Sequence, residues 1–355
     1  MSNSPATTAN PLVELSKRKG TAWRTFILPQ VRVAFIQVNK NACTSLKWMI
    51  AGIAGEDLDA FGPSLEATVN GEDDIHDRSQ WKHAPKLADL DPEVLAGVRP
   101  DNGWFVFGVT RDPRSRLFSA WQSKLLLDNP GYASRRGAPW YPRHPASAES
   151  VAEDFDRFIT YLEQDPTPPI RFDGHFRDQV DSLSEDLVDY TEIYDIRDLA
   201  RLKTDLRAHL DTVGFTGELW LPRTNDTPLR ANALPFANGV RERVERLYAR
   251  DFERFGDRWD FATIEKAPAW TDEQLAEVDA IAENGRRLGH LLGEARRFRT
   301  ALKEQQKLTA AERQRADDLE RRLAEATRVA PPAAVQPLHI RLRRRAGAIR
   351  RSLRG

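Results

Sequence analysis

The sequence predicts an α/β domain built on a central parallel sheet flanked by helices, with a helical extension at the C-terminal end. Two strand–turn–helix units in series and a late change of composition point to it. Residues 31–38 (VRVAFIQV) are apolar and β-branched over a strand's length, which reads as a strand buried on both faces. A polar turn over 39–43 follows, and residues 44–53 (TSLKWMIAGI) read as a helix that Thr44 or Ser45 can cap. The order then recurs: strand 104–109 (WFVFGV), turn 110–112 and helix 114–127, with Pro113 at the first helical position. Such units in series place parallel strands side by side. Residues 150–163 read as an amphipathic helix, 189–196 as a further strand, and 199–213 and 240–255 as helices, with Gly256 ending the last. Residues 128–147 (DNPGYASRRGAPWYPRHPAS) form a Pro-, Gly- and Arg-rich loop that is long for a compact domain, as binding loops and lids are.

From Thr271 a helical pattern runs to about residue 328. A seven-residue frame places Leu288, Ala295, Leu302, Thr309, Ala316 and Leu323 in one column. Leu291, Phe298, Gln305, Glu312, Leu319 and Ala326 form the other. The frame suits a coiled coil, with a homodimer through this segment, or a long helical hairpin, and a solvated, charge-laced helix explains it equally. The expected organisation is a flexible N-terminus over 1–24, a main domain over 25–265, the long helix over 271–328 and a basic amphipathic tail over 329–355.

Composition narrows the classes. Of 355 residues 40% are hydrophobic, with nine Trp and sixteen Phe, enough for a sizeable core. A single cysteine, Cys43, excludes an intramolecular disulfide framework and a cysteine-rich metal cluster. No apolar run reaches the roughly 18 residues of a membrane-spanning helix, and the first twenty residues lack a hydrophobic signal core. The expected location is cytoplasmic. Net charge is zero, yet residues 329–355 hold seven Arg and no acid, which leaves 46 basic against 53 acidic side chains elsewhere. Arginine alternates with Leu338, Leu342, Ile349 and Leu353 in that tail, so an anionic membrane surface is its expected partner. Nucleic acid is the rival for any Arg-rich run, and a solvated tail is the bland reading.

Two segments carry chemistry. In 37–47 (QVNKNACTSLK) a strand enters a short loop and then a helix whose first residues are hydroxylic. A helix start offers unpaired N–H groups to an anion, Lys40 adds a point charge, and Thr44 and Ser45 can donate to phosphate oxygens. The GxxxxGK[ST] pattern is absent and no Mg²⁺ ligand set is evident. An ordinary capped β–α turn accounts for the same residues. In 111–121 (RDPRSRLFSAW), Arg111 ends a strand where α/β sheets bind ligands, and Ser119 follows two helical turns later. An exposed Arg–Asp turn is the bland alternative there.

Taken together, the segments resemble those of the PAPS-dependent sulfotransferases, closest to the carbohydrate sulfotransferases of family 2. NKNACTSLK (39–47) is similar to that family's PKxGxTSxK, and RDPRSRLFSAWQSK (111–124) to its RxPxxRLxSAYxxK. HFRDQ (175–179), DYTEIYDIRDL (189–199), LPRTND (221–226) and LYARDFERFGD (247–257) follow in the family's order. Asn39, Ala42 and Trp121 depart from the Pro, Gly and Tyr common in the family. The resemblance implies a P-loop-like sulfotransferase fold and the donor 3′-phosphoadenosine 5′-phosphosulfate (PAPS), with no metal. It implies that Lys40 contacts the sulfonate and bridging oxygen. Asn41, Ala42, Cys43, Thr44 and Ser45 would line the 5′-phosphate loop, and Arg111 and Ser119 would hold the 3′-phosphate. Cys43 reads as a small loop residue rather than a nucleophile.

An attacking hydroxyl needs a proton acceptor. The resemblance places a catalytic His or Glu between the two segments, and His83 is the first choice. His76, Glu72 and Asp74 share the interval. His175 is an outside candidate, read chiefly as structural or acceptor-lining. Tyr132, Trp140 and Tyr141 with Arg135, Arg136 and Arg143 suit a carbohydrate or glycolipid acceptor, and a mobile solvated loop explains them equally. The rival functions are a nucleoside- or sugar-phosphate kinase on a degenerate P-loop, and a non-catalytic scaffold recruited to the inner face of a membrane.

Overall fold

Four strands form one sheet in the order β1-β2-β3-β4: β1 (Thr25–Leu28), β2 (Val33–Ile36), β3 (Phe105–Thr110) and β4 (Glu192–Asp195). The structure is a computed structural model and describes residues 11–17, 22–62, 71–143, 147–224 and 227–329. β2, β3 and β4 run parallel, with Val33 opposite Phe105 and Phe107 opposite Glu192. β1 is antiparallel to β2, with Thr25 opposite Ile36, so the sheet is mixed rather than wholly parallel. The sequence reading missed β1 because TFIL is four residues long and follows a polar stretch. A tight connection through Pro29–Val31, closed by Arg32 at φ 50°, folds it back on β2.

The first unit of the chain, Met1–Leu292, holds the sheet. Its described helices are α1 (Pro11–Lys17), α2 (Cys43–Ala54), α3 (Pro92–Gly97), α4 (Pro113–Trp121), α5 (Ala148–Leu162), α6 (Gln179–Leu183), α7 (Leu199–Thr212), α8 (Val240–Leu247), α9 (Ala249–Phe255) and α10 (Ala262–Glu265). Strand side chains alternate between two cores, as the period of a strand requires. Val33, Phe35, Phe105 and Phe107 pack with Leu46 and Ile50 of α2 and Leu202 and Leu206 of α7. Ala34, Ile36 and Val106 pack with Leu12 and Leu15 of α1 and Leu95 of α3. A third core joins Phe118 and Trp121 of α4 to Phe155 and Phe158 of α5 and Val244 of α8.

The expected single helix over 240–255 is two helices, α8 and α9. Tyr248 breaks it at φ −115°, donating its buried hydroxyl to Phe176 O at 2.6 Å. The expected caps of α2 are also corrected. Ala42, in the left-handed region at φ 54°, is the N-cap, and Thr44 and Ser45 sit inside the first turn.

The last helix, α11 (Asp272–Val329), is 58 residues long. Thr271 and Gln274 close a reciprocal cap at its start. Val278 and Ala282 are buried in the first unit, and Gly285 packs against the carbonyls of Leu127 and Asp128. Residues from Gly293 onward belong to the second unit. There Phe298, Leu302, Leu319 and Leu323 of the heptad columns are exposed. No helix among the described residues is long and apolar enough to cross a membrane. The expected basic tail lies outside the described residues from 330 onward.

Candidate active site

Parallel strands deliver their following loops to one sheet edge, and here the loops after β2, β3 and β4 meet in a two-chambered cleft. One chamber, of about 650 Å³, is lined by Lys40, Ala42, Cys43, Thr44 and Ser45 with Leu221 and Thr224 among its other walls. The other, of about 510 Å³, is lined by Ser115, Phe118, Trp259, Asp260 and Ile264 among others. Arg111, Ser119, Ile196, Arg223 and Arg230 belong to both and form the junction. The sequence motifs contained Arg111, Ser119 and Arg223. Arg230 lies in no motif and was missed.

The β2–α2 loop owes its shape to two residues in the left-handed region, Lys40 at φ 71° and Ala42 at φ 54°. The first α-helical bond, from Leu46 N to Ala42 O, leaves the N–H groups of Cys43, Thr44 and Ser45 at the open helix start. Ala42 offers no side-chain cap, and Cys43, Thr44 and Ser45 all line the chamber at this helix start. Ser45 Oγ lies 3.0 Å from Thr224 Oγ1, which ties the LPRTND segment to the loop. Lys40 donates from Nζ to Ser123 Oγ at 2.8 Å.

Behind the loop runs a buried chain. Lys47 Nζ lies 2.7 Å from His76 Nδ1, and His76 Nε2 lies 3.0 Å from Thr44 Oγ1. An ammonium can only donate, so Nδ1 accepts and the Nε2 proton is directed to the Thr44 oxygen. That order casts the Thr44 hydroxyl as a donor in its turn. Burial, then Lys47, Lys124, His175 and Lys40, hold the His76 imidazole well below the usual histidine range, so it is neutral.

Arg111 donates from its guanidinium to Lys40 O at 3.2 Å, its one side-chain hydrogen bond among the described residues. Burial, partly opposed by Asp112, brings it down to about 10, so it stays cationic at neutral pH. The nearby carboxylates are already taken. Asp112 caps α4 and accepts from Arg114, and Asp195 accepts from Arg197 and from Trp259 Nε1 at 2.7 Å. Among the described residues, Arg111 thus reaches the junction without a carboxylate bonded to its guanidinium.

Asn41 and His83 are placed otherwise than expected. The Asn41 amide turns inward and donates to Val109 O and Gln179 Oε1, both at 2.7 Å, so its side chain does not line the chamber. Gln179 in turn bonds both backbone groups of Arg111 and the buried Asp251, a hub that the HFRDQ segment marked without revealing its role. His83 is exposed and lines neither chamber. Its backbone N–H joins those of Lys82 and Ala84 on the Glu56 carboxylate. Asp74 is buried, and the side chain of Glu72 lies outside the described residues. The aromatics of the 128–147 loop are packed rather than displayed. Tyr132 donates to Asp173, Tyr141 to Asp128, and Trp140 stacks on Tyr161 at 4.2 Å. Among the described residues, no cluster of three or more His, Cys, Asp or Glu is placed to hold a metal.

The sequence that carries these motifs matches a known family. The Sulfotransferase family matches residues 23–256. Over 275 residues the chain is 26% identical to carbohydrate sulfotransferase 10 of Danio rerio, covering 69% of each. No solved structure matches the chain. With most of the first unit inside the family's span, the chain belongs to the sulfotransferase family.

Proposed function

We propose that the protein transfers a sulfonate group from PAPS to a carbohydrate hydroxyl by in-line displacement. The observation that carries this reading is the pair of anion-binding corners in one cleft. One is the helix start with Lys40, Thr44 and Ser45; the other is the junction at Arg111 and Ser119. A nucleotide phosphorylated at both its 5′ and 3′ positions suits two corners, whereas ADP has phosphates for one. The donor set of N–H groups, hydroxyls, an ammonium and a guanidinium fits such polyanions.

When bound, PAPS supplies the sulfonate and a phosphate leaving group. Thr44, Ser45 and the N–H groups of the first turn of α2 would hold the 5′-phosphate, and Arg111 with Ser119 the 3′-phosphate. Lys40 would offset charge growing on the bridging oxygen, where fixed charges act without reorganising. Trp259, Phe118 and Ile264 give the second chamber an apolar wall suited to a base. A carbohydrate acceptor is supported by the name of the relative and by the family-2 motifs.

The test is a thermal-shift titration with 3′-phosphoadenosine 5′-phosphate, beside AMP and ADP with Mg²⁺. A ligand at 100 times its Kd stabilises the fold by about 2.7 kcal/mol. The expected result is a shift with the 3′-phosphorylated nucleotide well above the others. A shift with ADP and Mg²⁺ alone would promote the kinase reading, and none with any nucleotide the scaffold.

A further inference from the structure

The attacking hydroxyl must shed a proton, and neither His83 nor His76 is poised to take it. His83 stands exposed on the Glu56 turn, and both ring nitrogens of His76 are engaged by Lys47 and Thr44. Neither His83 nor His175 is among the residues lining the two chambers, but His175 lies within electrostatic reach of Lys124 and Lys40. Among the described residues, an imidazole–carboxylate pair is tied to the segment that carries Lys40. His175 Nδ1 lies 2.8 Å from Asp173 Oδ1 and 3.1 Å from the Tyr132 hydroxyl, which donates to Asp173 Oδ2 at 2.9 Å. A fourth contact, the bond from His175 N to Asp173 Oδ1 at 2.9 Å, closes the turn. A carboxylate can only accept, so Nδ1 carries the proton and Nε2 the lone pair. Among the described residues Nε2 makes no hydrogen bond, and the side chain retains 24% exposure.

The pair is stapled to the donor loop. Buried Arg116 donates to Asn39 O at 3.0 Å, to Gly174 O at 3.2 Å and to Arg177 O at 2.8 Å. Gly174 packs so closely that a Cβ there would lie 3.3 Å from Asn39 Nδ2. Asn41 and Gln179 make a second link between the same two segments. Lys40 reaches Ser123, and the next residue, Lys124, is the largest charge acting on His175.

We infer that His175, oriented by Asp173 and Tyr132, is the general base that takes the acceptor's proton. The inference rests on the sulfonate-transfer reading. The acceptor oxygen forms the new S–O bond as the bond from sulfur to the bridging oxygen breaks. The electron pair of the broken bond stays on the leaving phosphate, and the hydroxyl proton passes to Nε2. Asp173 balances the imidazolium that results. His175 is the catalytic residue; Asp173 and Tyr132 are positioning residues. The groups facing the ring are Asp173, Tyr132, Lys40, Lys124 and His76. Burial and the two lysines outweigh Asp173 and push His175 down to about 4. An anionic donor beside Lys40 offsets the lysine charge, so the base strengthens once the donor is bound.

The test uses the full chain and three readouts. Calorimetry with 3′-phosphoadenosine 5′-phosphate reports the donor site. Single-turnover transfer of radiolabelled sulfonate reports chemistry, on the fastest acceptor among hexose- and hexuronate-terminated oligosaccharides and water. Heteronuclear NMR reports the His175 tautomer and its titration. His175→Gln is expected to slow transfer by about 100-fold or more while nucleotide Kd stays within about threefold. Asp173→Asn is expected to slow it by about 10-fold or more and to move the acid limb of the pH–rate profile. The wild-type ring should be the Nδ1–H tautomer, titrating well below the ordinary histidine range and higher with nucleotide bound. Undiminished transfer by His175→Gln overturns the inference, as does an Nε2–H ring. Loss of nucleotide binding in step with transfer makes the pair a structural staple and overturns it too. Failure of the wild type to bind the nucleotide instead sinks the sulfonate-transfer reading, so the two failures are distinguishable.

Discussion

Replacing Arg111 with Ala removes the cation at the junction of the two chambers. The guanidinium spends one N–H on Lys40 O and, among the described residues, makes no hydrogen bond to a carboxylate. A phosphate gripped by the remaining fork receives two charge-assisted bonds, each worth about 1.5–3 kcal/mol. Discounting by about a third because the chamber is open, the loss is about 2–4 kcal/mol, or about 30- to 1,000-fold in Kd. The lost bond to Lys40 O affects any ligand of the loop by a further factor of about five to ten. Calorimetry with wild type and variant, each against 3′-phosphoadenosine 5′-phosphate and AMP, separates the two. The first ligand should weaken at least tenfold more than the second. Equal weakening of both would refute a role for Arg111 at the 3′-phosphate and leave it a support for the Lys40 loop.

Four further outcomes are expected. Ala42→Gly relieves a left-handed Cβ at φ 54° and should raise Tm by about 2–4 °C, a gain of about 1 kcal/mol; a lower Tm would contradict the loop conformation. Gly285→Ala would put a Cβ 2.6 Å from Asp128 O and 2.8 Å from Leu127 O, backbone that cannot swing aside, and should cost about 1–3 kcal/mol in urea unfolding. An unchanged midpoint would show that α11 does not pack there. Lys47→Met removes the donor to His76 Nδ1 and should weaken 3′-phosphoadenosine 5′-phosphate binding by about five- to tenfold through the lost orientation of Thr44; unaltered affinity would break the chain from Lys47 to ligand. Acidification supplies the last. His76 and His175 titrate below their unfolded value, so between about pH 6.5 and 4 the unfolded chain binds more protons and stability falls as pH falls. His175→Gln should flatten that slope, and a midpoint constant across the window would contradict the burial of both rings.

The fold was legible where local pattern and tertiary environment agree. The runs over 31–38 and 104–109 are apolar on both alternating faces because β2 and β3 are covered on both sides, so their type could be read without knowing their neighbours. β1 could not, because four residues carry no periodicity and pairing alone makes them a strand. The break at Tyr248 was hidden for a similar reason: the apolar period continues through it, and only the hydroxyl's bond to Phe176 O explains the turn. In the site, Lys40, Thr44, Ser45 and Arg111 could be found because each precedes or opens a helix at a strand's end, and Ser119 because it follows two turns into the second helix. Asn41 lies between them in sequence yet faces Gln179, and no spacing argument separates an inward amide from an outward one. His83 illustrates the same limit, since its interval was right for a base but its side chain points to solvent. Arg116 and Gln179 are buried polar hubs whose partners lie up to 138 residues away, as Asn41 does from Gln179, and only the fold assembles them.

The central claim is that this cleft moves a sulfonate group from PAPS to a sugar hydroxyl with Lys40 at the reacting end. Its most direct measurement is transfer of radiolabelled sulfonate from PAPS to a panel of hexose- and hexuronate-terminated oligosaccharides, by wild type and by Lys40→Ala. The account predicts a labelled oligosaccharide with the wild type. With Lys40→Ala it predicts transfer reduced by about 100-fold or more, while 3′-phosphoadenosine 5′-phosphate still binds. Equal labelling by both proteins, or phosphorylated product from ATP and Mg²⁺ with no labelled sugar from PAPS, would contradict it.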